Sequence, residues 1–587
     1  MQVQLRVRAG ADSAMIIWKS PPVAGCRGFA LYRKILRVPG SAPSPNVVAE
    51  IPTSDAPMMK GVSALPPGME EEVVASWVGF ADQPAWPEGT RKPTTEWPIQ
   101  KYLWSDYMVG PGDQVAYRVA PMVGKAGALA PLDAQASGWS PVVTIGAVTE
   151  GGVTAHFNRG IVASQWLARL LPDVNPGKKL ATSIATVGDD IRNYLAGTLR
   201  LRLLDLLEKA NAAKGHVYAA LFELDDPELL PLLAAFGKRA HVVLGNGAVD
   251  KKGQDENADA RKALAGCEVK DRMTAPTRLA HNKFLVICDK ARQPKSIWTG
   301  STNWTKSGLC TQANNAVLVQ NGALAQSYLD QWQALAKAGS ETPPALRTAN
   351  AAPRSAGRGK TTTVWFPPME AAPDLEMAGD IIAAAKQGIM FLFFNPGPRG
   401  SLLNDIIALA SPASETFNPD LYIHGVVNQN PGTARNPVTL FNRGDRIDAN
   451  ADVVLPAAIS TPLKFWRKEL LKLPASHAMV HSKVVIVDPF GAKPVVMTGS
   501  HNMGPKASGT NDENLVIIRN NEALAAQYAC NIMEIYGQYR WRASQAKTNG
   551  QPQWTGLADD DAWQISAPPK DYDKRRLREL DFWFGTR

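Results

Sequence analysis

The spacing of apolar residues along the chain changes at about residue 150. Before that point, short runs alternate apolar and polar residues between turns rich in proline and glycine, at 14–18, 28–33, 114–119 and 139–144. Short alternating runs bounded by turn residues predict antiparallel strands with one buried face. We therefore predict an all-β sandwich over residues 1–148.

After residue 150, apolar strands alternate with helices. We predict strands at 216–222, 241–245, 389–394 and 421–427, and helices at 227–236 and 402–409. This alternation is typical of α/β domains with largely parallel or mixed sheets covered by helices. We predict two αβ segments, 149–340 and 361–545, joined by an exposed linker at 341–360. The tail, 546–587, has basic and aromatic residues that predict either a helix packed on the body or a surface for membrane or nucleic acid.

The two αβ segments contain an internal repeat. His281 and Lys283 flank a single residue, and so do His481 and Lys483. Each pair is followed by a short apolar run and then by Gly-Ser-x-Asn, at 300–303 and 499–502. The next strand and helix also match, at 315–328 and 514–528. A repeat with matching flanks predicts a duplicated domain half and one composite active site.

This combination resembles the phospholipase D superfamily, whose motif is His-x-Lys, four residues, Asp, and then Gly-Ser-x-Asn. The resemblance covers roughly residues 150 to 540. It implies an α/β fold in which two halves meet at a pseudo-two-fold axis and form one cleft that cleaves phosphodiesters. Asp488 occupies the aspartate position of the second motif, whereas the first has Cys288 there and Asp289 one residue later. Either a local bulge lets Asp289 serve, or the first half lacks the motif aspartate.

The repeated residue types suit phosphodiester chemistry. Attack on phosphorus adds negative charge to the non-bridging oxygens, which two lysines and two asparagine amides would bind. One histidine would attack to form a phosphohistidine, while the other transfers protons to and from oxygen. We expect neither a metal nor another cofactor in this reaction. The predicted site residues are His281, Lys283, Asn303, Asn314, His481, Lys483, Asp488, Asn502 and Glu513.

The residues placed behind the histidines predict their roles. The second half has Glu513 and the first has Asn314 at the matching position. A carboxylate supports an imidazolium, so we expect Glu513 to raise the pKa of His481 and make it the proton carrier. Asn314 would leave His281 neutral and nucleophilic. This asymmetry resembles that of tyrosyl-DNA phosphodiesterases.

Other candidates have two interpretations each. His501, at the variable position of the second Gly-Ser-x-Asn, either contacts substrate or packs internally. Trp304, after the first such motif, either lines the cleft or belongs to the core. The remaining histidines have no spacing partner and are predicted to be structural: His156, His216, His241, His424 and His477.

Composition limits the partners and the location of the protein. The formal net charge of the 587 residues is +9, spread along the chain, which favours an anionic partner such as a phospholipid surface, DNA or RNA. Five dispersed cysteines lack the spacing of a zinc site and predict reduced thiols. The N-terminus has no secretory pattern, and no run approaches eighteen apolar residues. We expect a cytoplasmic protein, with signal-independent export as an alternative.

The order of motifs in the first 150 residues resembles a fibronectin type III module with an insertion at about 55–100. These motifs are a tryptophan strand, Gly-x-x-Leu-Tyr-Arg, Tyr-Arg-Val and Gly-Trp-Ser-Pro. The resemblance implies that Trp18 and Tyr117 are core residues and that the module positions the enzyme or binds a protein partner.

Three functions are compatible with these observations. Both half-sites lie in one chain, which suggests a catalytic monomer and favours a phospholipid phosphodiesterase that hydrolyses its substrate or transfers it to an alcohol. The motif at 300–304 resembles the small nuclease branch, so a nuclease or DNA-end phosphodiesterase is an alternative. A catalytically inactive scaffold is the third.

Overall fold

The structure is a computed structural model that describes residues 2–38, 68–83, 90–160, 162, 176–249, 253–428, 430–433, 435, 451–454, 479–547, 556–565 and 571–586. His477 lies outside this set. The chain forms two units, one of residues 1–147 with 551–587 and the other of residues 148–550.

The N-terminal part of the first unit is all-β and antiparallel, as predicted. Its strands are β1 (Gln4–Ala9), β2 (Ala14–Lys19), β3 (Cys26–Leu36), β4 (Glu70–Val73), β5 (Ala75–Ser76), β6 (Lys92–Pro93), β7 (Leu103–Asp106), β8 (Gln114–Lys125), β9 (Ala128–Pro131) and β10 (Val143–Thr144). One sheet has the order β1-β2-β7 and another the order β10-β8-β3-β4, with β9 paired to β8. Trp18 and Tyr117 are fully buried, because they lie on the inward faces of β2 and β8. The specific resemblance to a fibronectin module stays a prediction.

The first αβ half contains a seven-stranded mixed sheet. Its elements are β11 (Val153–Phe157), α1 (Pro176–Ala185), α2 (Asp190–Ala212), β12 (His216–Leu221), α3 (Leu229–Ala234), β13 (Ala240–Gly245), α4 (Ala258–Ala263), β14 (Glu268–Arg272), β15 (Lys283–Cys288), β16 (Pro294–Gly300), α5 (Lys306–Cys310), β17 (Asn315–Val319) and α6 (Gly322–Ala338). The strand order is β11-β17-β16-β15-β12-β13-β14. The strands β12, β13 and β14 are parallel, and the other pairs are antiparallel. The central strands are buried on both faces, which explains their continuous apolar sequence.

The second αβ half repeats this topology. Its elements are α7 (Pro344–Asn350), β18 (Arg354–Ala356), β19 (Thr362–Trp365), α8 (Pro373–Ala383), β20 (Gly388–Phe393), α9 (Leu402–Ala410), β21 (Tyr422–Val427), β22 (Ala451–Val454), β23 (Val484–Val487), β24 (Val495–Gly499), α10 (Pro505–Gly509), β25 (Leu515–Arg519) and α11 (Glu522–Lys547). The strand order is β18-β19-β25-β24-β23-β20-β21-β22. Leaving out β18, each strand has its counterpart in the first half, so β23 corresponds to β15 and β20 to β12. The predicted strands and helices of both halves are present, with their ends shifted by a few residues.

The linker and the C-terminal tail both contain regular structure. The linker predicted at 341–360 contains α7 and the edge strand β18, which pairs antiparallel with β19. The C-terminal helix α12 (Asp571–Phe584) belongs to the first unit and contacts β2. There the Arg8 guanidinium donates to the carbonyl of Trp583 at 2.9 Å, and Lys19 pairs with Asp581 at 2.5 Å. The side chains of Phe582, Trp583 and Phe584 are buried, so the aromatic residues of the tail are used in packing.

Candidate active site

Each His-x-Lys pair lies where the chain enters the central strand of its half. Lys283 begins β15, and Lys483 directly precedes β23. The apolar run after each lysine is buried as the strand, which leaves the histidine and the lysine at its leading end. The Lys283 ammonium donates to the carbonyl of His281 at 2.6 Å, and Lys483 donates to the carbonyl of His481 in the same way. The local geometry is thus repeated in both halves.

A phenylalanine supports each pair. The Phe222 ring lies 4.9 Å from the His281 ring, and the Lys283 ammonium lies 4.7 Å from the centre of the same phenylalanine. Phe394 makes both contacts in the second half, each at 4.7 Å. These residues were missed in the sequence, although they follow matching strands. An edge-on imidazole and a cation over the ring face are both favourable arrangements for an aromatic ring.

The groups behind the histidines cross between the halves. The Nδ1 of His281 lies 2.9 Å from both carboxylate oxygens of Glu513, which belongs to the second half. The Nδ1 of His481 lies 2.9 Å from the Oδ1 of Asn314, which belongs to the first half. Each half therefore supplies the partner for the histidine of the other, and neither half-site is complete alone.

This crossing corrects the predicted pairing. We expected Glu513 to act on His481 and Asn314 on His281, because each lies in the same half as that histidine. Linear spacing cannot show which half contributes the partner when two halves meet about a pseudo-two-fold axis. The structure joins the carboxylate to His281 and the amide to His481.

Hydrogen bonds fix the orientation of the Asn314 amide. Its Nδ2 donates to the carbonyl of Gly308 at 2.8 Å, and its Oδ1 accepts from the Ser301 hydroxyl at 2.7 Å. The Oδ1 therefore faces His481 as an acceptor, so the Nδ1 of that imidazole carries the proton.

Further buried hydrogen bonds cross between the halves in symmetric pairs. Asn315 donates to the Thr498 hydroxyl at 2.7 Å and to the Tyr528 hydroxyl at 3.0 Å. Asn514, its counterpart, accepts from the Thr299 hydroxyl at 2.7 Å and from the Tyr328 hydroxyl at 3.2 Å. The carbonyl of Ala313 also accepts from the backbone N–H groups of His481 and Ser482, at 3.0 and 2.8 Å. These contacts hold the two half-sites in register.

Burial makes charge unfavourable at both histidines. His281 is 4% exposed and His481 is 5% exposed. Burial lowers the pKa of both imidazoles well below the usual range, and the two active-site lysines lower it further. Burial also lowers the pKa of Lys283 to about 7, and burial with the nearby Lys283 lowers the pKa of Lys483. A bound anion would oppose these shifts, because it stabilises both ammonium groups.

The carboxyl group of Glu513 responds to the same environment. Burial raises its pKa to about 7, against the opposing effect of Lys283. The Glu513–His281 pair therefore changes protonation near neutral pH. Negative charge on Glu513 is favoured when the imidazole becomes cationic, as it does on forming a bond to phosphorus.

The two Gly-Ser-x-Asn asparagines lie in loops that follow β16 and β24. Asn303 is buried and donates from Nδ2 to the Oε2 of Glu223 at 2.6 Å. Asn502 is half-buried in the corresponding loop of the second half. Glu223 was not singled out in the sequence, because no motif includes it. Aligning β12 with β20 matches Phe222 with Phe394, and this alignment would have drawn attention to Glu223, the residue directly after Phe222.

The motif aspartates lie away from this cluster. Asp488 is five residues beyond Lys483, a span of about 16 Å along a strand. Its carboxylate accepts from the backbone N–H groups of Lys386, Gln387 and Gly388 at 2.7 to 3.1 Å. The structure therefore places Asp488 where it holds the start of β20, and its predicted part in catalysis stays a prediction.

The first half has no equivalent of this aspartate. A register shift is present at Ile287/Cys288, as one alternative required. The Asp289 carboxylate nevertheless accepts from Ala291 and Gln293 of its own turn, both at 2.9 Å. The displaced aspartate shapes the β15–β16 turn and leaves β12 without this anchor.

His501 and Trp304 are internal residues. The Nε2 of His501 lies 3.0 Å from the Ser508 hydroxyl and 3.1 Å from the Asp374 carboxylate, and the ring is fully buried. Its Nδ1 accepts from the backbone of Met503 at 2.8 Å. Trp304 is fully buried in the apolar core of the first half. The packing interpretation is confirmed for both residues.

No group of three or more His, Cys, Asp or Glu side chains is arranged to hold a metal ion within the described parts of the chain. Among the helices that the structure describes, none is both long enough and apolar enough to cross a bilayer.

A family model for the cardiolipin synthase, PLD-like domain matches residues 206–336 and 455–536. The two matched segments contain the two His-x-Lys pairs. The similarity to this PLD-like domain is therefore shown for these two segments of the chain. Members of the phospholipase D superfamily are phosphodiesterase-type enzymes, and the phospholipase D-like fold of two halves predicted from the repeat is confirmed. No curated protein matches the sequence significantly.

Several solved structures are similar to parts of the chain, and three of them are described by their identity, coverage and TM-score. Polyphosphate kinase from Porphyromonas gingivalis is 11% identical over 60% of this chain, with a TM-score of 0.36, and the match spans about half of that enzyme, 51%. Nuc, a phospholipase D family member from Salmonella typhimurium, is 23% identical over 24% of this chain and 90% of its own, with a TM-score of 0.20. Phosphatidylserine synthase from Haemophilus influenzae Rd KW20 is 11% identical over 59% of this chain and 84% of its own, with a TM-score of 0.39.

Proposed function

We propose that the protein is a phospholipase D-type phosphodiesterase that hydrolyses phospholipid phosphodiester bonds or transfers the phosphatidyl group to an alcohol. The observation that carries this proposal is the crossed cluster, in which His281 and His481 are each completed by the opposite half. Two differently supported imidazoles beside two lysines supply a nucleophile, a proton carrier and a cationic phosphate cradle. The reaction proceeds through a phosphohistidine and uses neither metal nor cofactor.

His281 is the nucleophile in this proposal. The Glu513 carboxylate accepts a hydrogen bond from the Nδ1–H of His281. The lone pair of Nε2 is therefore available to attack phosphorus. As the N–P bond forms, the ring becomes cationic, and the carboxylate stabilises that charge. His281 is thus the nucleophile, as proposed from the sequence, but for the opposite reason. The sequence argument paired it with the Asn314 amide, whereas the structure pairs it with the Glu513 carboxylate.

His481 is the acid and then the base. Its Nδ1 faces a neutral amide, so its protonated form has no carboxylate to stabilise it and readily gives up a proton from Nε2. That proton goes to the leaving oxygen as the P–O bond breaks. The neutral imidazole then takes a proton from water or an alcohol, whose oxygen attacks phosphorus and breaks the P–N bond. Both histidines return to their starting states.

Lys283, Lys483, Asn303 and Asn502 form the phosphate cradle, defined here by these four residues. The lysines bind the non-bridging oxygens by charge-assisted hydrogen bonds, and the amides add neutral donors. The charge added in the five-coordinate transition state strengthens the contacts with both lysines. This preferential stabilisation lowers the barrier.

The assignment of roles has a direct test. The variant His481→Asn should accumulate a phosphorylated enzyme whose adduct lies on His281, because the second step lacks its base. Peptide mass spectrometry after acid-free quenching locates the adduct. An adduct found on His481 in the His281→Asn variant, with none in His481→Asn, would reverse the two roles.

The substrate class is inferred from the presence of both half-sites in one chain and from the description of the matched domain, a cardiolipin synthase domain. A panel of phosphatidylcholine, phosphatidylglycerol, cardiolipin, single- and double-stranded DNA and RNA, each with EDTA, tests it. We expect phosphatidic acid from a lipid, and a phosphatidyl alcohol when ethanol is added. Strand scission without lipid turnover would favour the nuclease alternative.

The inactive scaffold is tested with a generic substrate. Bis(p-nitrophenyl) phosphate should be turned over by the natural protein and not by His281→Ala. Absence of turnover for every phosphodiester in both proteins would contradict the proposed enzyme.

A further inference from the structure

Glu223 introduces a carboxylate at the edge of the phosphate cradle. Its Oε2 accepts from the Nδ2 of Asn303 at 2.6 Å, so it directly contacts one of the four cradle residues. The loop that carries it is held in place, because the backbone N–H groups of Asp225 and Asp226 donate to the carbonyl of Trp304 at 3.0 and 3.1 Å. Glu223 is half-buried, and its position is fixed by these neighbours.

The fold does not require a carboxylate at this position. Phe222 and Phe394 occupy equivalent places, since each contacts the histidine and lysine of its own half. The residue after Phe222 is Glu223, whereas the residue after Phe394 is Asn395, which has no charge. Glu223 therefore breaks the symmetry of the cradle by one negative charge.

The surrounding charges determine how this carboxylate behaves. Lys283 attracts it, and Asp225 on its own loop and Glu256 on the 253–257 segment repel it. Glu223 also acts on Lys483 across the cleft. Burial raises the pKa of Glu223 to about 7, so the group changes charge in the neutral range.

We propose that Glu223 is a specificity-determining residue that makes the cradle reject doubly charged phosphomonoesters, including the product of the reaction. This proposal rests on the proposed function and identifies the charge class that the same site accepts. A phosphodiester carries one negative charge, whereas a phosphomonoester carries close to two above its second pKa of about 6. Repulsion from a nearby carboxylate therefore weakens monoester binding about twice as strongly, in free energy, as diester binding.

Binding to an inactive protein tests this proposal separately from turnover. In the His281→Ala background, calorimetry gives the dissociation constants of bis(p-nitrophenyl) phosphate and p-nitrophenyl phosphate, a matched diester and monoester. At pH 8, adding Glu223→Gln should lower the dissociation constant of the monoester about tenfold relative to that of the diester. Removal of one negative charge from the protein acts more strongly on the dianion than on the monoanion. At pH 5.5 the proteins with Glu223 and with Gln at this position should give the same ratio, because Glu223 is protonated there and repels neither ligand.

Two further variants control for structure. Glu223→Asp keeps the charge and should keep the preference for the diester over the monoester. Loss of this preference in Glu223→Asp as well as in Glu223→Gln would indicate a damaged loop and overturn the proposal. Asp225→Asn removes an exposed carboxylate two residues away, and its ratio should change less than twofold. An unchanged ratio in Glu223→Gln at pH 8, or failure of either ligand to bind, would also overturn it. Absence of turnover in the natural protein together with the tenfold shift would contradict the proposed function and leave this inference standing.

Discussion

His281 and His481 have equivalent positions but different groups against Nδ1. A carboxylate on His281 stabilises positive charge on that ring, and an amide on His481 does not. Since only the nucleophile must hold positive charge while bonded to phosphorus, this single difference between Glu513 and Asn314 distinguishes the two steps. The asymmetry is thus chemical, while the backbone remains symmetric.

Removing the carboxylate should slow the reaction strongly. We expect Glu513→Gln to lower kcat for bis(p-nitrophenyl) phosphate by about 100-fold or more, with a small change in KM, because Gln keeps the hydrogen bond but loses the charge. Steady-state kinetics provide the measurement. Asn314→Asp is the matched variant, and it should slow leaving-group protonation by stabilising the His481 imidazolium. A Glu513→Gln enzyme with natural kcat would refute the role of this charge.

The acid limb of the pH profile should report Glu513. Burial raises its pKa to about 7, so its carboxyl group is protonated below that pH and ionised above it. The ionised form supports the cationic intermediate, so kcat should fall as pH decreases through about 7. The same measurement on Glu513→Gln should show no such limb. Its persistence there would assign the limb to another group.

At the scale of elements, Asp488 connects β20 with β23. Its carboxylate accepts from three consecutive backbone N–H groups at the start of β20, and its own φ of +48° lies in the left-handed region. The equivalent turn of the first half uses Asp289 only locally. The two central strands therefore pair in the same way in both halves, but an aspartate side chain anchors them only in the second half.

Loss of this anchor should reduce stability more than activity. Asp488→Ala should lower the free energy of unfolding by about 2 kcal/mol, since three backbone donors, two of them part-buried, lose their acceptor and a left-handed backbone gains an alanine. Urea denaturation measures the change, and kcat of the folded variant should stay within twofold of natural. Asp289→Ala, in an exposed turn, is the control and should cost less than about 1 kcal/mol. A large loss of kcat in Asp488→Ala would instead support its predicted part in catalysis.

At the scale of the 148–550 unit, the buried contacts of Asn315 and Asn514 join the halves into one catalytic body. Each asparagine reaches a threonine and a tyrosine of the opposite half. Because Asn314 and Glu513 are their immediate neighbours, the contacts that hold the interface also place the histidine partners. Stability and catalysis are coupled through the backbone at these two positions.

Weakening this interface should destabilise both halves together. Asn315→Ala leaves two buried hydroxyls without their partner and should cost about 3 kcal/mol, with a lower kcat because Asn314 is displaced. Urea unfolding should still show one transition for the 148–550 unit. Asn321→Ala, which removes only the N-terminal cap of α6, is the control, with an expected loss of about 1 kcal/mol. Separate transitions for the two halves in Asn315→Ala would contradict the coupling.

The sequence alone predicted β12, β13, β20, β21, α3 and α9, and it singled out His281, Lys283, His481 and Lys483. Periodic burial produces local patterns, and a duplication repeats them, so both are visible without coordinates. The sequence did not reveal the edge strand β18 within the linker at 341–360, because β18 is stabilised by pairing with β19 and its own residues contain little strand pattern.

Only the tertiary structure decided which histidine receives the carboxylate, that Asp488 lies at the far end of its strand, and that Glu223 contacts Asn303. Each depends on side chains brought together from positions far apart in the sequence: 232 residues separate His281 from Glu513, and 80 separate Asn303 from Glu223. Spacing along the chain specifies which residues share an element. The packing of one half against the other determines which of those residues meet.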